Sequence, residues 1–231
     1  NVFLSELLER QKDNGKIAIK YGEDSVTYKG WYNHSRQLSG VLNNSATKSS
    51  SNIAIFLPNS INYALAYFSI LFSNRIIVPI GTQSKGLEVT STLEYCEIDL
   101  IITSLQYRDF LKDCLSDYKY SITLLFIEDQ SIEKTDNDKS FIDKSDAIKN
   151  VGIEDDIAIM LHTSGTTSNP KRVMLTHKNL ISNVESNIAS LNFFSNDKVL
   201  IALPMYFGYC NTAQFLTHLY LGASMVILDS I

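Results

Sequence analysis

Five short, unbroken apolar runs set the strongest limit on how this chain folds: NIAIFL (52–57), IIVPI (76–80), DLIITS (99–104), ITLLFIE (122–128) and DIAIMLH (156–162). Each is short for a helix and rich in β-branched residues, and along their apolar parts none alternates with polar positions. Strands that are covered on both faces look like this, and such strands belong to parallel sheets buried between helices. Segments with helical spacing lie between the runs, at 61–72, 87–96 and 105–115, the first introduced by the breaker Pro58-Asn59-Ser60. Strand and helix alternating at this spacing predict βαβ units, hence an α/β fold with parallel-rich sheets flanked by helices.

The flanks extend the pattern. Phe3, Leu4, Leu7 and Leu8 share one helical face; KIAIKYG (16–22) and SVTY (25–28) read as a hairpin; Trp31, Leu38, Val41 and Leu42 place a helix over 29–42. RVMLT (172–176) predicts a short strand, 177–191 a helix, KVLIALP (198–204) a strand, the stretch around 211–221 a helix and ASMVILD (223–229) a strand. Residues 129–150 are polar, mixed in charge and poor in aromatics, which predicts a solvated connection. The expected division is therefore a first α/β subdomain over 1–128, a polar linker over 129–150, and the start of a second α/β subdomain over 151–231. The run INYALAYFSILFSNRIIVPI (61–80) imitates a membrane span, but Asn62, Asn74, Arg75 and Pro79 interrupt it. Its uninterrupted part falls short of the roughly 20 residues a bilayer needs. A buried helix followed by a buried strand is expected, and no membrane span.

With 45% hydrophobic and 19% charged residues in 231, a sizeable core is expected and global disorder is excluded. A net charge of -5 argues against nucleic acid as the main partner, since phosphate neutralisation wants a basic stripe. A nucleotide needs only a local positive site. Cys96, Cys114 and Cys210 have no metal-ligand or redox spacing and read as reduced thiols, which predicts a cytoplasmic protein. The start NVFLSELLER lacks the basic-then-apolar order of a signal peptide. No His, Cys and carboxylate cluster points to a protein-bound metal.

Residues 163–171, TSGTTSNPK, interrupt the core-forming pattern with five hydroxyls, one glycine and a Pro-Lys pair. Gly165 permits a tight turn and close approach to a ligand. Ser164, Thr166, Thr167 and Ser168 place small donors beside successive backbone N–H groups, an arrangement that wraps an anion. Lys171 adds a point charge, and Arg172 follows it. A strand running into such a loop ends at the carboxyl edge of a sheet, where open α/β folds bind ligands. A polyphosphate fits these donors; an ordinary Ser/Thr-rich turn is the alternative. The P-loop pattern is not met, because the second glycine is missing and Arg172 follows the lysine.

The wider segment LHTSGTTSNPKRVMLTHKNL (161–180) resembles the signature of the adenylate-forming superfamily, which includes acyl-CoA synthetases, aryl-acid ligases, luciferases and peptide-synthetase adenylation domains. SVTYKGWYNHSRQLSGVL, IAIFLPNSINYALAYFSILFSNRIIVPI and KVLIALPMYFGYC are similar to further segments of that family, in the family's order, so the resemblance covers nearly the whole chain. It implies the incomplete N-terminal portion of the family's large domain. Three positions depart from the pattern: Ser168 and Arg172 stand where glycine is usual, and Phe207 where many acyl-CoA synthetases carry His. If either glycine position needs positive φ, its replacement costs about 1 kcal/mol or more.

The resemblance implies ATP-dependent carboxylate activation: an acyl-adenylate and pyrophosphate form, then the acyl group passes to a thiol. It assigns the phosphates to Thr163, Ser164, Gly165, Thr166, Thr167 and Lys171, with Mg2+ sharing the charge. Tyr206, Phe207 and Gly208 are implied for the carboxylic acid pocket, although residues 206–209 read equally well as plain core. The acceptor is coenzyme A or the phosphopantetheine of an acyl carrier protein. Three further family motifs, namely Tyr-Gly-x-Thr-Glu, Thr-Gly-Asp and a catalytic Lys, do not occur before Ile231, so no catalytic residue is assigned within this chain. A non-catalytic nucleotide-binding module, or a degenerate homologue, is the second reading. His162 is expected to be a core or lining residue and His177 to pack or cap behind Thr176; His34 and His218 match no ligand set.

Overall fold

The computed structural model describes residues 3–44, 52–128, 131–134, 156–163 and 171–228. Eleven strands are described: β1 (Ile17–Tyr21), β2 (Asp24–Thr27), β3 (Asn52–Phe56), β4 (Ile76–Pro79), β5 (Leu100–Thr103), β6 (Thr123–Glu128), β7 (Ser131–Lys134), β8 (Ile157–Thr163), β9 (Lys171–Thr176), β10 (Lys198–Ile201) and β11 (Ser224–Ile227). Between and beside them run α1 (Leu4–Glu9), α2 (Tyr28–Asn44), α3 (Ile61–Phe72), α4 (Gly86–Tyr95), α5 (Arg108–Leu115), α6 (His177–Leu191) and α7 (Thr217–Leu221).

The runs without alternation become the centre of a seven-stranded sheet in the order β7-β6-β5-β3-β4-β8-β9. Neighbours from β6 to β8 are parallel; β7 and β9 close the two edges antiparallel. Both faces of this sheet are buried. Ile53, Ile55 and Leu57 join one apolar cluster with α2 and α3, while Ala54 and Phe56 join a second with Val89, Leu93 and Leu111 of α4 and α5. That two-sided burial is the physical reason why the central positions of β3, β4 and β5 are apolar, with polar residues such as Asn52 and Thr103 kept to the strand ends.

The membrane-like run is α3 followed by β4. Every residue of α3 except Asn62 is buried, so a helix that is apolar all round is required here. Ser60 caps it by accepting from the Tyr63 N–H at 3.1 Å, an interaction of about 1 kcal/mol. Trp31 of α2 is fully buried against it and donates its indole N–H to the Ala64 carbonyl at 3.0 Å, with the Phe68 and Phe215 rings 5.3 and 5.6 Å away. Among the described residues no helix is long and apolar enough to cross a membrane.

Two expectations change. The sheets do not divide at residues 129–150. A second, four-stranded sheet has the order β10-β11-β1-β2, so strands from both chain ends share it, and β8 and β9 join β3–β6 in the larger sheet. The cause is long-range parallel pairing, as between Ile19 and Met225 or Ile77 and Ile159, which no local pattern encodes. The polar stretch is also not wholly a connection, because Ser131–Lys134 pairs antiparallel with β6, with Glu128 opposite Ser131. The remainder of that stretch, 135–150, lies outside the described residues.

Candidate active site

β8 runs parallel to β4, so its Thr163 end lies at the carboxyl edge of the large sheet. The chain returns as β9, and the register pairs Thr163 with Lys171 and His162 with Arg172. The hydroxyl-rich segment is therefore the connection of a β-hairpin whose two ends face each other. Of the phosphate-binding residues expected from sequence, Thr163 and Lys171 occupy those ends in the backbone. Ser164, Gly165, Thr166 and Thr167, with Ser168, lie outside the described residues.

Arg172 incurs none of the backbone cost expected from its replacing a glycine. The described non-glycine residues with positive φ are Asn74, Glu97 and Asn192, and Arg172 sits in ordinary extended strand.

Tyr206, Phe207 and Gly208 are brought to the same edge. Leu203 and Met205 are clamped by buried Asn59, whose Nδ2 donates to the Leu203 carbonyl at 2.9 Å and whose Oδ1 accepts from the Met205 N–H at 2.7 Å. The Tyr206 ring then lies over Gly81, just beyond β4, where an added Cβ would meet Tyr206 Cζ at 2.7 Å. A Cβ on Gly208 would stand 3.3 Å from Leu161 Cδ1 of β8. So the aromatic segment packs on the strand that leads into the hairpin. Tyr206 and Phe207 meet edge-on, ring centroids 4.6 Å apart, and Phe207 is 49% exposed, which is more open than plain core. Asn59 and Gly81 were not singled out from sequence. Asn59 read only as part of a helix-starting breaker, and a lone glycine after a strand carries no distinguishing signal.

The segment after Gly208 is helical as expected, but Cys210–Leu216 is a π-helix. The Thr217 hydroxyl donates to the Thr212 carbonyl at 2.7 Å, and the Thr212 hydroxyl to the Gly208 carbonyl at 2.9 Å. π-turns widen a helix and recur at functional sites. Burial pushes the Cys210 thiol up to about 12, so it stays protonated and is no nucleophile.

His177 starts α6 and is buried, behind a Thr176–Asn179 capping box. Its Nδ1 accepts from the Leu4 N–H at 3.2 Å, and the Phe3 ring meets it edge-on at 5.5 Å. It therefore packs and ties α1 to the far end of the β8–β9 hairpin. Burial lowers its pKa below the usual 6.5, against a smaller opposing pull from Asp156. A depressed histidine pKa stabilises the fold fully above the unfolded value and progressively less as pH falls through it. Urea unfolding should therefore show stability lost between about pH 7.5 and 5.5, by up to about 1.4 kcal/mol per unit of depression. His177→Asn, whose Oδ1 can take the place of Nδ1, should flatten part of that slope; an unchanged slope would refute the assignment. His218 is also lowered by burial and would account for residual slope.

A cleft of about 450 Å3, lined by Arg75, Ile76, Asp156, Ile157 and His177 among others, sits at the opposite, amino edge of β4 and β8, remote from the hairpin tip. Among the described residues no three His, Cys, Asp or Glu side chains cluster as metal ligands.

The family model of AMP-binding enzymes matches residues 8–231. The chain belongs to the AMP-binding enzyme family. It is 26% identical over 215 residues to 4-coumarate–CoA ligase 1 of Arabidopsis thaliana, covering 87% of this chain and 38% of that protein. It is 25% identical over 207 residues to gramicidin S synthase 2 of Brevibacillus brevis, covering 90% of this chain and 4% of that protein. In fold it matches the anthranilate CoA ligase AuaEII, solved in complex with anthranoyl-AMP, with a TM-score of 0.84 at 16% identity, over 100% of this chain and 44% of that one. The chain thus spans about two fifths of the CoA ligases it matches, and the fold is that of their N-terminal portion.

Proposed function

We propose that this chain supplies the ATP-phosphate loop and part of the acid pocket of an AMP-forming acid–thiol ligase. The observation carrying this reading is the register of Thr163 with Lys171, which closes a glycine- and hydroxyl-rich connection at the carboxyl edge of a parallel sheet, within a chain of the AMP-binding family. A carboxylate oxygen attacks the α-phosphorus of ATP, and pyrophosphate leaves with the electron pair of the broken P–O bond. Both the five-coordinate phosphorus and the leaving group carry charge that fixed donors and cations stabilise. Thr163, Ser164, Gly165, Thr166, Thr167 and Lys171 hold the β- and γ-phosphates, and Mg2+ bound to the nucleotide shares their charge.

Tyr206, Phe207 and Gly208 form one wall of the acid pocket. Phe207 shapes that wall without donating a hydrogen bond. The adenylate then passes to the thiol of coenzyme A or of a carrier-protein phosphopantetheine, in the cytoplasm. The relatives include both a CoA ligase and a peptide synthetase, which favours this pair of acceptors without choosing between them. The test is product identity in the complete protein. With ATP, a carboxylic acid and a thiol it should release AMP and pyrophosphate. Release of ADP and phosphate would refute the reading, and nucleotide binding without turnover would favour a non-catalytic module.

A further inference from the structure

The segment proposed as the acid-pocket wall lies between β10 and the π-helix, and two residues distant in sequence act on it. Asn59 stands between β3 and α3, after Pro58 and beside the Ser60 cap, whose hydroxyl donates to the Pro58 carbonyl at 3.0 Å. From that fixed point its amide bonds the residues on either side of Pro204. The Leu203 carbonyl also accepts from the Cys210 thiol at 3.4 Å, but Met205 is buried and its N–H is satisfied by Asn59.

Gly81 acts from the other side. It is glycine for space and not for backbone freedom, because the described glycines with positive φ are Gly22 and Gly222. Its backbone is pinned: the Ile80 N–H donates to the Ile55 carbonyl at 2.9 Å, and the Gly81 carbonyl accepts from the Ser84 N–H at 3.0 Å. Tyr206 Cζ, Oη and Cε1 stand 2.7, 3.0 and 3.1 Å from where a Cβ would be. Ordinary carbon contact is about 3.5–4.0 Å. A side chain at 81 therefore drives the Tyr206 ring off the end of β4, and Phe207, edge-on to that ring, moves with it.

We infer that Asn59 and Gly81 are positioning residues for the acid-pocket wall: Asn59 holds the backbone on both sides of Pro204, Gly81 seats the Tyr206 ring, and together they fix where the exposed Phe207 meets the acid. The inference rests on the proposed assignment of Tyr206–Gly208 to that pocket.

The test measures KM for acid and for ATP by pyrophosphate exchange in the complete protein, beside urea unfolding midpoints. The probes are straight-chain carboxylates from acetate to decanoate, with benzoate, because residues 199–216 carry no charged side chain. Gly81→Ala should raise the KM for the preferred probe about ten- to hundredfold, the range for a one-carbon change in the fit of an apolar pocket. The KM for ATP should not change. Asn59→Ala should act in the same direction and also lower the urea midpoint, since it leaves the Met205 N–H buried without a partner. On a Tyr206→Leu background, where the ring atoms facing Gly81 are gone, Gly81→Ala should add no further loss.

An unchanged acid KM in both Gly81→Ala and Asn59→Ala, even with a lower kcat, is the outcome of reduced folding alone and would overturn the positioning role. Equal rises in the KM values for acid and ATP would overturn it too. Phe207→Ala separates the two ideas. If it raises the acid KM while neither Gly81→Ala nor Asn59→Ala does, the wall stands and the positioning role falls. If none of the three does, or no probe supports exchange, both fall.

Discussion

Replacing Lys171 with alanine in the complete protein is expected to slow acyl-adenylate formation by about 10²- to 10³-fold, the usual consequence of removing one preorganised donor from a developing charge. Lys171 opens β9 and pairs in the backbone with Thr163 across the loop. On the proposed reading, an ammonium group at this position would attract the triphosphate in the ground state and the departing pyrophosphate in the transition state. Charge builds up on the leaving group as the α–β bridge breaks, so the larger loss should fall on kcat and the smaller on the KM for ATP. The KM for the acid should barely change. Truncating the side chain leaves the strand's backbone hydrogen bonds in place, so the unfolding midpoint should stay within the range of ordinary surface substitutions, about 0.5 kcal/mol. A variant with full adenylation and unchanged ATP affinity would exclude Lys171 from the phosphate site.

The second large effect concerns the 231-residue chain by itself. It is expected to show negligible acid-dependent exchange between ATP and pyrophosphate. The phosphate loop can lower the barrier only if the α-phosphorus, the ribose and the acid are held in line, and misplacement by about 1 Å costs roughly 10²-fold. The Tyr-Gly-x-Thr-Glu, Thr-Gly-Asp and late Lys motifs implied by the family resemblance do not occur among these residues. Exchange by this chain near the rate of the complete protein would show that the loop and the Tyr206–Gly208 wall suffice.

Much of the fold was legible because burial on both faces leaves a mark in the residues themselves. IAIFL (53–57) has no polar position to give up, and Ile55 and Phe56 do enter opposite clusters. The edges left weaker marks. Ser131–Lys134 needs pairing on one side only, so SIEK carries a single apolar residue and reads as linker. The sharing of sheets across residues 129–150 depends on contacts such as Lys20 with Val226, between residues far apart in sequence. Within the site, the loop stood out because glycine, hydroxyls and Pro-Lys coincide after a buried strand. Asn59 did not, because a helix-start asparagine and a clamp on a distant loop have the same local sequence. Arg172 was visible as a departure from a pattern, but its partners Tyr95 and Met160 are brought to it only by the folded hairpin. The π-turns at Cys210–Leu216 were hidden for a similar reason, since one widened stretch hardly alters the apolar spacing of a helix.

The most direct test is incorporation of labelled pyrophosphate into ATP by the complete protein, measured across a panel of carboxylic acids with the Lys171→Ala variant run beside it. The account predicts exchange that requires an acid, needs no thiol, and falls by at least about 10²-fold in the variant. Exchange that ignores Lys171, or ATP binding with no exchange for any acid, would contradict it.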